Sequence, residues 1–301
     1  DQFLGIGVAG PRGRAQRLDR LGEAAGLHQV ARALDLGRGR RGEERQDSES
    51  FQHRASLAAA FCAALGLSAA AGPALSSEPL PLPAPLTDAD FLPVNRQKAE
   101  IGRLLFYDKI LSGNRNISCG TCHHHDHGGS DGLSLGLGEG GVGLGPERTA
   151  GEGPGRVRKR IPRNALALWN LGHRDIRVMF HDGRLERSDL YENGFNSPAE
   201  EWLPDGLPDL VAAQAVLPLA SQFEMAGDAE ENDVSSALRE RVDKPWPVLA
   251  QRVWSLPEYG AAFVAAFDGV GRPADVTIVE IAEALSHFIR LEWRNHDSPF
   301  D

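Results

Sequence analysis

The sequence of 301 residues contains only three cysteines and two methionines. A structural zinc site usually takes four ligands from two paired half-sites. This sequence has a single Cys-x-x-Cys pair, so zinc is disfavoured, and a lone redox pair remains the other alternative. The sequence also lacks any alternating apolar pattern longer than a few residues, which argues against a strand-rich fold. Its net charge of −10 argues against nucleic acid as a partner.

Two of the three cysteines lie three positions apart and are followed at once by a histidine. This pattern, Cys119, Cys122 and His123, is typical of a c-type haem attachment site. One helical turn separates the two thiols, and this spacing matches the two haem vinyl groups to which they would add. His123 would then lie under the iron as an axial ligand. We therefore expect one covalently bound haem c in this chain.

The third cysteine, Cys62, lies in an alanine-rich apolar run over residues 55–71 that follows His53 and Arg54. This pattern predicts a secretory signal peptide over residues 51–74 and export to the periplasm. An uncleaved membrane anchor is the less favoured alternative. Residues 1–50 are rich in arginine and glycine and precede the signal. We expect them to be a spurious or disordered upstream segment.

A proline-rich stretch follows the signal and predicts an extended linker over residues 75–92. Residues 93–296 are then expected to form one haem domain. Residues 96–110 have the periodicity of an amphipathic helix that includes Leu104 and Tyr107. A second apolar helix is expected at residues 259–267.

Near the end of the chain, Thr277 and Glu280 form a capping-box pattern before another apolar helix. Residues 128–155 are too rich in glycine to form a regular element, and we expect them to form a loop around the haem edge.

At this point the sequence resembles a known family. Residues 104–123 resemble the start of the first haem domain of bacterial di-haem cytochrome c peroxidases and the related MauG proteins. Further elements follow in the family's order: Arg163–Asn164, Phe180–Arg184, Gln214 with Pro218, Glu224–Met225 and Asp297–Asp301. The resemblance covers roughly residues 90–301. It implies a mainly α fold, in which a cytochrome c-like haem domain with long loops leads into a second such domain. Residues 297–301 would be the start of that second domain, which is missing here.

The same resemblance implies an enzyme that reduces hydrogen peroxide to water. Glu224 would be the catalytic acid and base, and Gln214 the amide that orients peroxide. A carboxyl group in an apolar pocket suits this role because burial raises its pKa towards the working pH. Electrons would come from a small donor such as a cytochrome c or a copper protein, through a second haem in the missing domain. The resemblance is also compatible with assembly of two copies of the chain into a homodimer.

Several further expectations come from the resemblance and from departures from it. Asn164 matches a position that contributes to calcium binding, although an asparagine here could also cap a helix. His181 replaces the family's bridging tryptophan and could line the path between haems. No histidine lies between His127 and His173, where many members carry one that blocks the iron. We therefore expect a haem that is open to peroxide without reductive activation.

Two other functions remain open. One is a mono-haem electron-transfer cytochrome in which Met179, 56 residues after His123, is the second axial ligand. The other is a MauG-like oxidase that uses peroxide to modify a protein side chain.

Overall fold

The computed structural model describes residues 82–299, and residues 83–299 belong to one compact unit. The predicted upstream segment, the signal peptide and residues 75–81 of the predicted linker lie outside the described residues. Within residues 82–299, no helix is both long enough and apolar enough to cross a membrane. The first described residues, up to Thr87, have no regular structure. Phe91 is already buried in the core, so packing begins a few residues before the predicted boundary at Pro93.

The described part of the chain is mainly α, as the sequence predicts. Its α-helices are α1 (Arg96–Tyr107), α2 (Cys119–Cys122), α3 (Leu210–Val216), α4 (Asp233–Leu238), α5 (Pro245–Trp254), α6 (Pro257–Ala266) and α7 (Ile278–Glu292). A five-residue π-helix spans Gln222–Ala226. Short 3₁₀ turns lie at Asp88–Asp90, Lys109–Leu111, His125–His127, Gly145–Glu147, Glu200–Trp202, Pro218–Ala220 and Pro273–Asp275.

Three very short strands form a small antiparallel sheet in the order β1 (Val178–Met179), β2 (Leu185–Arg187), β3 (Phe195–Asn196). Met179 pairs with Leu185, and Glu186 pairs with Asn196. Residues 128–155 contain no α-helix or strand, as their glycine content predicts.

Helix α1 begins where the side chain of Asn95 accepts hydrogen bonds from the backbone N–H groups of Gln97 and Lys98, at 2.9 and 3.1 Å. The helix ends at Tyr107, three residues before the predicted end, and a separate 3₁₀ turn follows. Leu104 and Tyr107 are each 45% exposed, so the buried face of the helix does not include them.

Helix α7 has the predicted capping box. The Glu280 carboxylate accepts from the Thr277 backbone N–H at 2.8 Å, and the Thr277 hydroxyl accepts from the Val279 N–H at 3.1 Å. The predicted helix over residues 259–267 is α6, which begins slightly earlier, at Pro257. Proline at the first helical position is favourable because its missing N–H would have had no partner there.

Helices α1 and α7 make the most extensive helix contact in the described part. They approach each other closely at Gly102, where an added Cβ would lie only 2.0 Å from the Ala284 backbone oxygen and 2.9 Å from the Phe288 Cβ. An ion pair between Lys98 and Glu283, at 2.6 Å, joins the same two helices beside this contact. The crossing therefore requires a residue without a side chain at position 102.

Gly102→Ala should destabilise the protein, because the new methyl group can fit only if α1 and α7 move apart. Overpacking of this kind costs about 1–3 kcal/mol of unfolding free energy. Gly269→Ala is a suitable control, since an added Cβ there meets nothing within 4 Å. Urea denaturation of both variants measures the difference, and equal stability of the two would contradict this account of the helix crossing.

Candidate active site

One cavity of about 280 Å³ is lined by α2, α3, α7, the π-helix and the loop over residues 161–166. Its walls contain every site residue that the sequence predicts: Cys119, Cys122, His123, Asn164, His181, Gln214 and Glu224. Apolar side chains complete the walls, among them Phe106, Leu285 and Ile289. Residues that are far apart in the sequence thus meet around a single space.

The two cysteines come from one turn of helix. Ser118 begins α2, and its backbone N–H donates to the Thr121 hydroxyl at 3.0 Å. Cys119 and Cys122 are free, half-buried and line the cavity. Burial raises the pKa of each thiol to about 12, which keeps both protonated at neutral pH. Two unpaired thiols on one helical turn fit the covalent attachment of haem.

His123 follows directly and is held in one orientation. Its Nδ1 lies 2.9 Å from the Gly129 backbone oxygen, so the ring can donate there and leave Nε2 available as a ligand. Burial lowers the pKa of His123, which favours the neutral imidazole that binds a metal. Together with the apolar walls, this donor set fits a haem group in the cavity.

Glu224 lies in the π-helix that faces the same space. The Ser221 backbone oxygen accepts from the N–H groups of Glu224, Met225 and Ala226 at 3.0–3.2 Å, which produces the wide turn. Burial raises the pKa of the Glu224 carboxyl group, while a hydrogen bond from Ser221 and the charge of Arg184 act to lower it. Gln214, on α3, lines the cavity beside these residues.

The glycine-rich loop packs directly against this π-helix. A Cβ on Gly138 would lie 1.9 Å from the Phe223 backbone oxygen and 2.9 Å from the Glu224 Cα. The Glu139 N–H donates to the Glu224 backbone oxygen at 2.9 Å. The position of the carboxyl group therefore depends on this loop.

Arg148, which no sequence motif indicates, is buried and holds the loop in place. Its guanidinium donates to the backbone oxygens of Leu137, Gly138 and Gly143 at 2.7–2.8 Å. The sequence signal for this role is that Arg148 is the one arginine within the glycine-rich residues 128–155. Asp131 is a second residue that no sequence motif indicates. It is a fully buried carboxylate in the cavity wall, and its Oδ2 has no hydrogen-bond partner among the described residues.

Arg184 is a third residue for which the sequence predicts no role of its own, although it ends the Phe-His-Asp-Gly-Arg element. It lines the cavity and donates to both carboxylate oxygens of Asp182 at 2.6–3.0 Å. This hydrogen-bonded pairing holds the pKa of Asp182 well below its usual range. His181, in the same element, is exposed at the cavity margin.

Asn164 joins two loop segments through hydrogen bonds. Its amide oxygen accepts from the Ser130 hydroxyl at 2.9 Å, and its amide nitrogen donates to the Leu133 backbone oxygen at 2.7 Å. It does not cap a helix, because no helix lies near it in the sequence. Residues 82–299 contain no group of three or more His, Cys, Asp or Glu side chains arranged to hold a metal ion.

Comparison with known proteins identifies the family. A model of the di-haem cytochrome c peroxidase family matches residues 96–301, more than half of the chain. The chain belongs to this family. The resemblance noted in the sequence is thereby confirmed, and the related proteins are oxidoreductases.

Individual relatives show the extent of the similarity. The cytochrome c551 peroxidase of Pseudomonas aeruginosa is 25% identical over 221 residues, which cover 73% of this chain and 46% of that protein. The methylamine utilization protein MauG of Methylorubrum extorquens is 44% identical over 57 residues, or 19% of this chain and 16% of that protein. The chain thus spans less than half the length of these relatives.

Among solved structures, a MauG-like protein associated with microbial copper homeostasis is similar to this chain. It is 24% identical with a TM-score of 0.39, and the match covers 74% of this chain and 47% of that protein.

Removing the charge of Arg184 should raise the pKa of Glu224 further, because a nearby positive charge stabilises the carboxylate form. Arg184→Gln tests this, with Arg187→Gln as the control. Arg187 donates to the Pro208 backbone oxygen and does not line the cavity. The measurement is the ¹³C chemical shift of the glutamate carboxyl groups against pH, assigned by comparison with Glu224→Gln. An unchanged Glu224 pKa in Arg184→Gln would disprove the electrostatic coupling.

Proposed function

We propose that residues 93–296 form the peroxidatic haem c domain of a periplasmic enzyme that reduces hydrogen peroxide to water. One observation carries this proposal: two free thiols, an imidazole with a lowered pKa and a carboxyl group with a raised pKa all line one cavity. Thiols and imidazole are the groups that hold haem c, and the carboxyl group is the group that moves protons.

Each residue has a distinct task in this proposal. Cys119 and Cys122 would hold the haem covalently, and His123 would bind the iron through Nε2. The haem would supply the iron-centred redox chemistry that breaks the O–O bond. Glu224 would accept a proton from one peroxide oxygen and return it to the other, for which a pKa raised towards the working pH is favourable. Gln214 would orient the peroxide through its side-chain amide.

Electrons would come from a small redox protein such as a cytochrome c or a copper protein. They would arrive through a second haem, in a domain that begins at residues 297–301, and His181 at the cavity margin would line that path. A calcium ion at Asn164 would share the amide oxygen with the Ser130 hydroxyl. The protein would act as a monomer or a homodimer.

Two other functions use the same cavity. A MauG-like oxidase would need the same residues and would differ in its final substrate, a protein side chain. An electron-transfer cytochrome would need a sulfur ligand, and Met179 is buried in the core and does not line the cavity. Met225 does line it and would be the ligand in that case. The resulting thioether ligation would produce a weak near-infrared absorption band.

Glu224→Gln should leave the haem content unchanged and lower peroxide turnover by about 10²–10⁴-fold, the usual contribution of a general acid–base. Haem content is measured from the alkaline pyridine spectrum and turnover from peroxide consumption. Glu258→Gln, at an exposed position outside the cavity, is the control and should retain full turnover. Unchanged turnover in Glu224→Gln would remove this residue from the mechanism.

The resting ferric protein should contain high-spin iron and react with peroxide before any reductant is added. The physical reason is that no histidine lies between residues 127 and 173 to occupy the iron. Electron paramagnetic resonance and visible spectra of the oxidised protein measure the spin state. A purely low-spin spectrum would contradict an open haem, and a near-infrared sulfur band would favour the electron-transfer cytochrome.

A further inference from the structure

Trp293 lies immediately after α7 and is completely buried. Its indole is surrounded by other rings: Phe106 at 5.1 Å, Phe288 at 5.5 Å and His125 at 4.7 Å between centroids. The indole Nε1 has no hydrogen-bond acceptor among the described residues. The residue is therefore held in an aromatic cluster without a polar partner.

Two short routes connect this indole with His123. The first runs through Phe106, whose ring lies 5.1 Å from Trp293 and 6.4 Å from the His123 ring. The second runs through Gly129, whose backbone oxygen lies 2.9 Å from His123 Nδ1. A Cβ on Gly129 would lie 3.1 Å from the Trp293 Nε1. Trp293 is thus close to the side of the cavity from which His123 would bind the iron.

The ring of His125 connects the indole with the protein surface. His125 stacks on the indole with an angle of 8° between the ring planes. The His125 side chain is 43% exposed. The Tyr107 hydroxyl lies 3.1 Å from His125 Nε2, and the Glu292 carboxylate lies 3.4 Å from the same nitrogen. This exposed face, formed by Tyr107, His125 and Glu292, is called the His125 face below.

We propose that Trp293 is a one-electron relay between the haem and the His125 face, where a small phenolic reductant would donate. This inference rests on the proposed function. Indole is among the side chains that lose an electron most readily, and each step between the rings is a few ångströms. The negative charge of Glu292 beside the stack would stabilise the positive charge left on the indole.

The electrons balance as follows. Reduction of one hydrogen peroxide to two molecules of water takes two electrons and two protons. Trp293 gives one electron to the haem and becomes an indole cation radical, which keeps its proton because Nε1 has no acceptor nearby. The phenolic reductant returns one electron to the indole and is itself oxidised to a phenoxyl radical, releasing its proton to solvent. Two such cycles supply both electrons, by a second route that does not use the second haem.

The relay is tested by mixing the haem-loaded full chain with one equivalent of peroxide, freezing it within milliseconds and recording its electron paramagnetic resonance spectrum. We expect a radical signal that narrows when the protein is grown with ring-deuterated tryptophan. This arm requires no mutation. Trp293→Phe keeps an aromatic ring in the cluster and should lose the signal. In a second measurement, guaiacol is added after peroxide. It should shorten the lifetime of the radical signal in the unmodified chain. It should also re-reduce the haem more slowly in Trp293→Phe than in the unmodified chain.

Trp246→Phe is the matched control. Trp246 is equally buried but donates to the Val216 backbone oxygen at 2.9 Å and does not line the cavity. It should keep the signal, as should Tyr107→Phe. Haem absorbance and thermal unfolding establish that each variant is folded and loaded.

Two failures are distinguishable. If the haem absorbance does not respond to peroxide, the proposed function fails and the relay fails with it. If the absorbance responds but the signal is insensitive to deuteration, survives in Trp293→Phe or disappears in Tyr107→Phe, the relay alone is overturned. The relay is equally overturned if guaiacol re-reduces the haem at the same rate in Trp293→Phe.

Discussion

The arrangement of the cavity depends on the close approach of α1 and α7 at Gly102. Because this residue has no side chain, the backbone of α1 can lie against the Ala284 oxygen of α7. The approach brings Phe106 from one helix and Leu285 and Ile289 from the other into the same wall. The turn with the two cysteines follows α1 after only eleven residues, so the crossing also positions the proposed attachment site. A wider crossing would separate the apolar wall from the cysteines and the histidine that are proposed to bind the haem.

The part of the cavity wall that carries Glu224 depends on the glycine-rich loop. Residues 128–155 have no α-helix or strand, and buried backbone groups in such a loop need partners of another kind. Arg148 supplies them by donating to three carbonyl oxygens. Gly138 then allows the loop to contact the π-helix that carries Glu224. The buried Arg148 thus holds the glycine-rich loop in place, and the loop in turn holds the Glu224 carboxyl group in position.

The sequence predicts those parts of this arrangement that local signals specify. The attachment motif, the Thr277 capping box and the irregular glycine-rich loop each depend on a few neighbouring residues, and the order of the family elements predicts which distant residues meet. Tertiary packing determines the rest. The exposure of Leu104 and Tyr107 follows from the use of Gly102 as the contact point, which apolar periodicity does not reveal. The roles of Arg148 and Arg184 depend on partners that only the folded chain brings near them.

The pKa of Glu224 is set by opposing effects of unequal size. Burial favours the neutral form of Glu224, whereas Ser221 and Arg184 favour the carboxylate, and burial is the larger effect. Arg184 donates hydrogen bonds to both carboxylate oxygens of Asp182, which hold its guanidinium at the cavity wall. The Phe-His-Asp-Gly-Arg element thus keeps in place one of the two groups that favour the carboxylate form of Glu224.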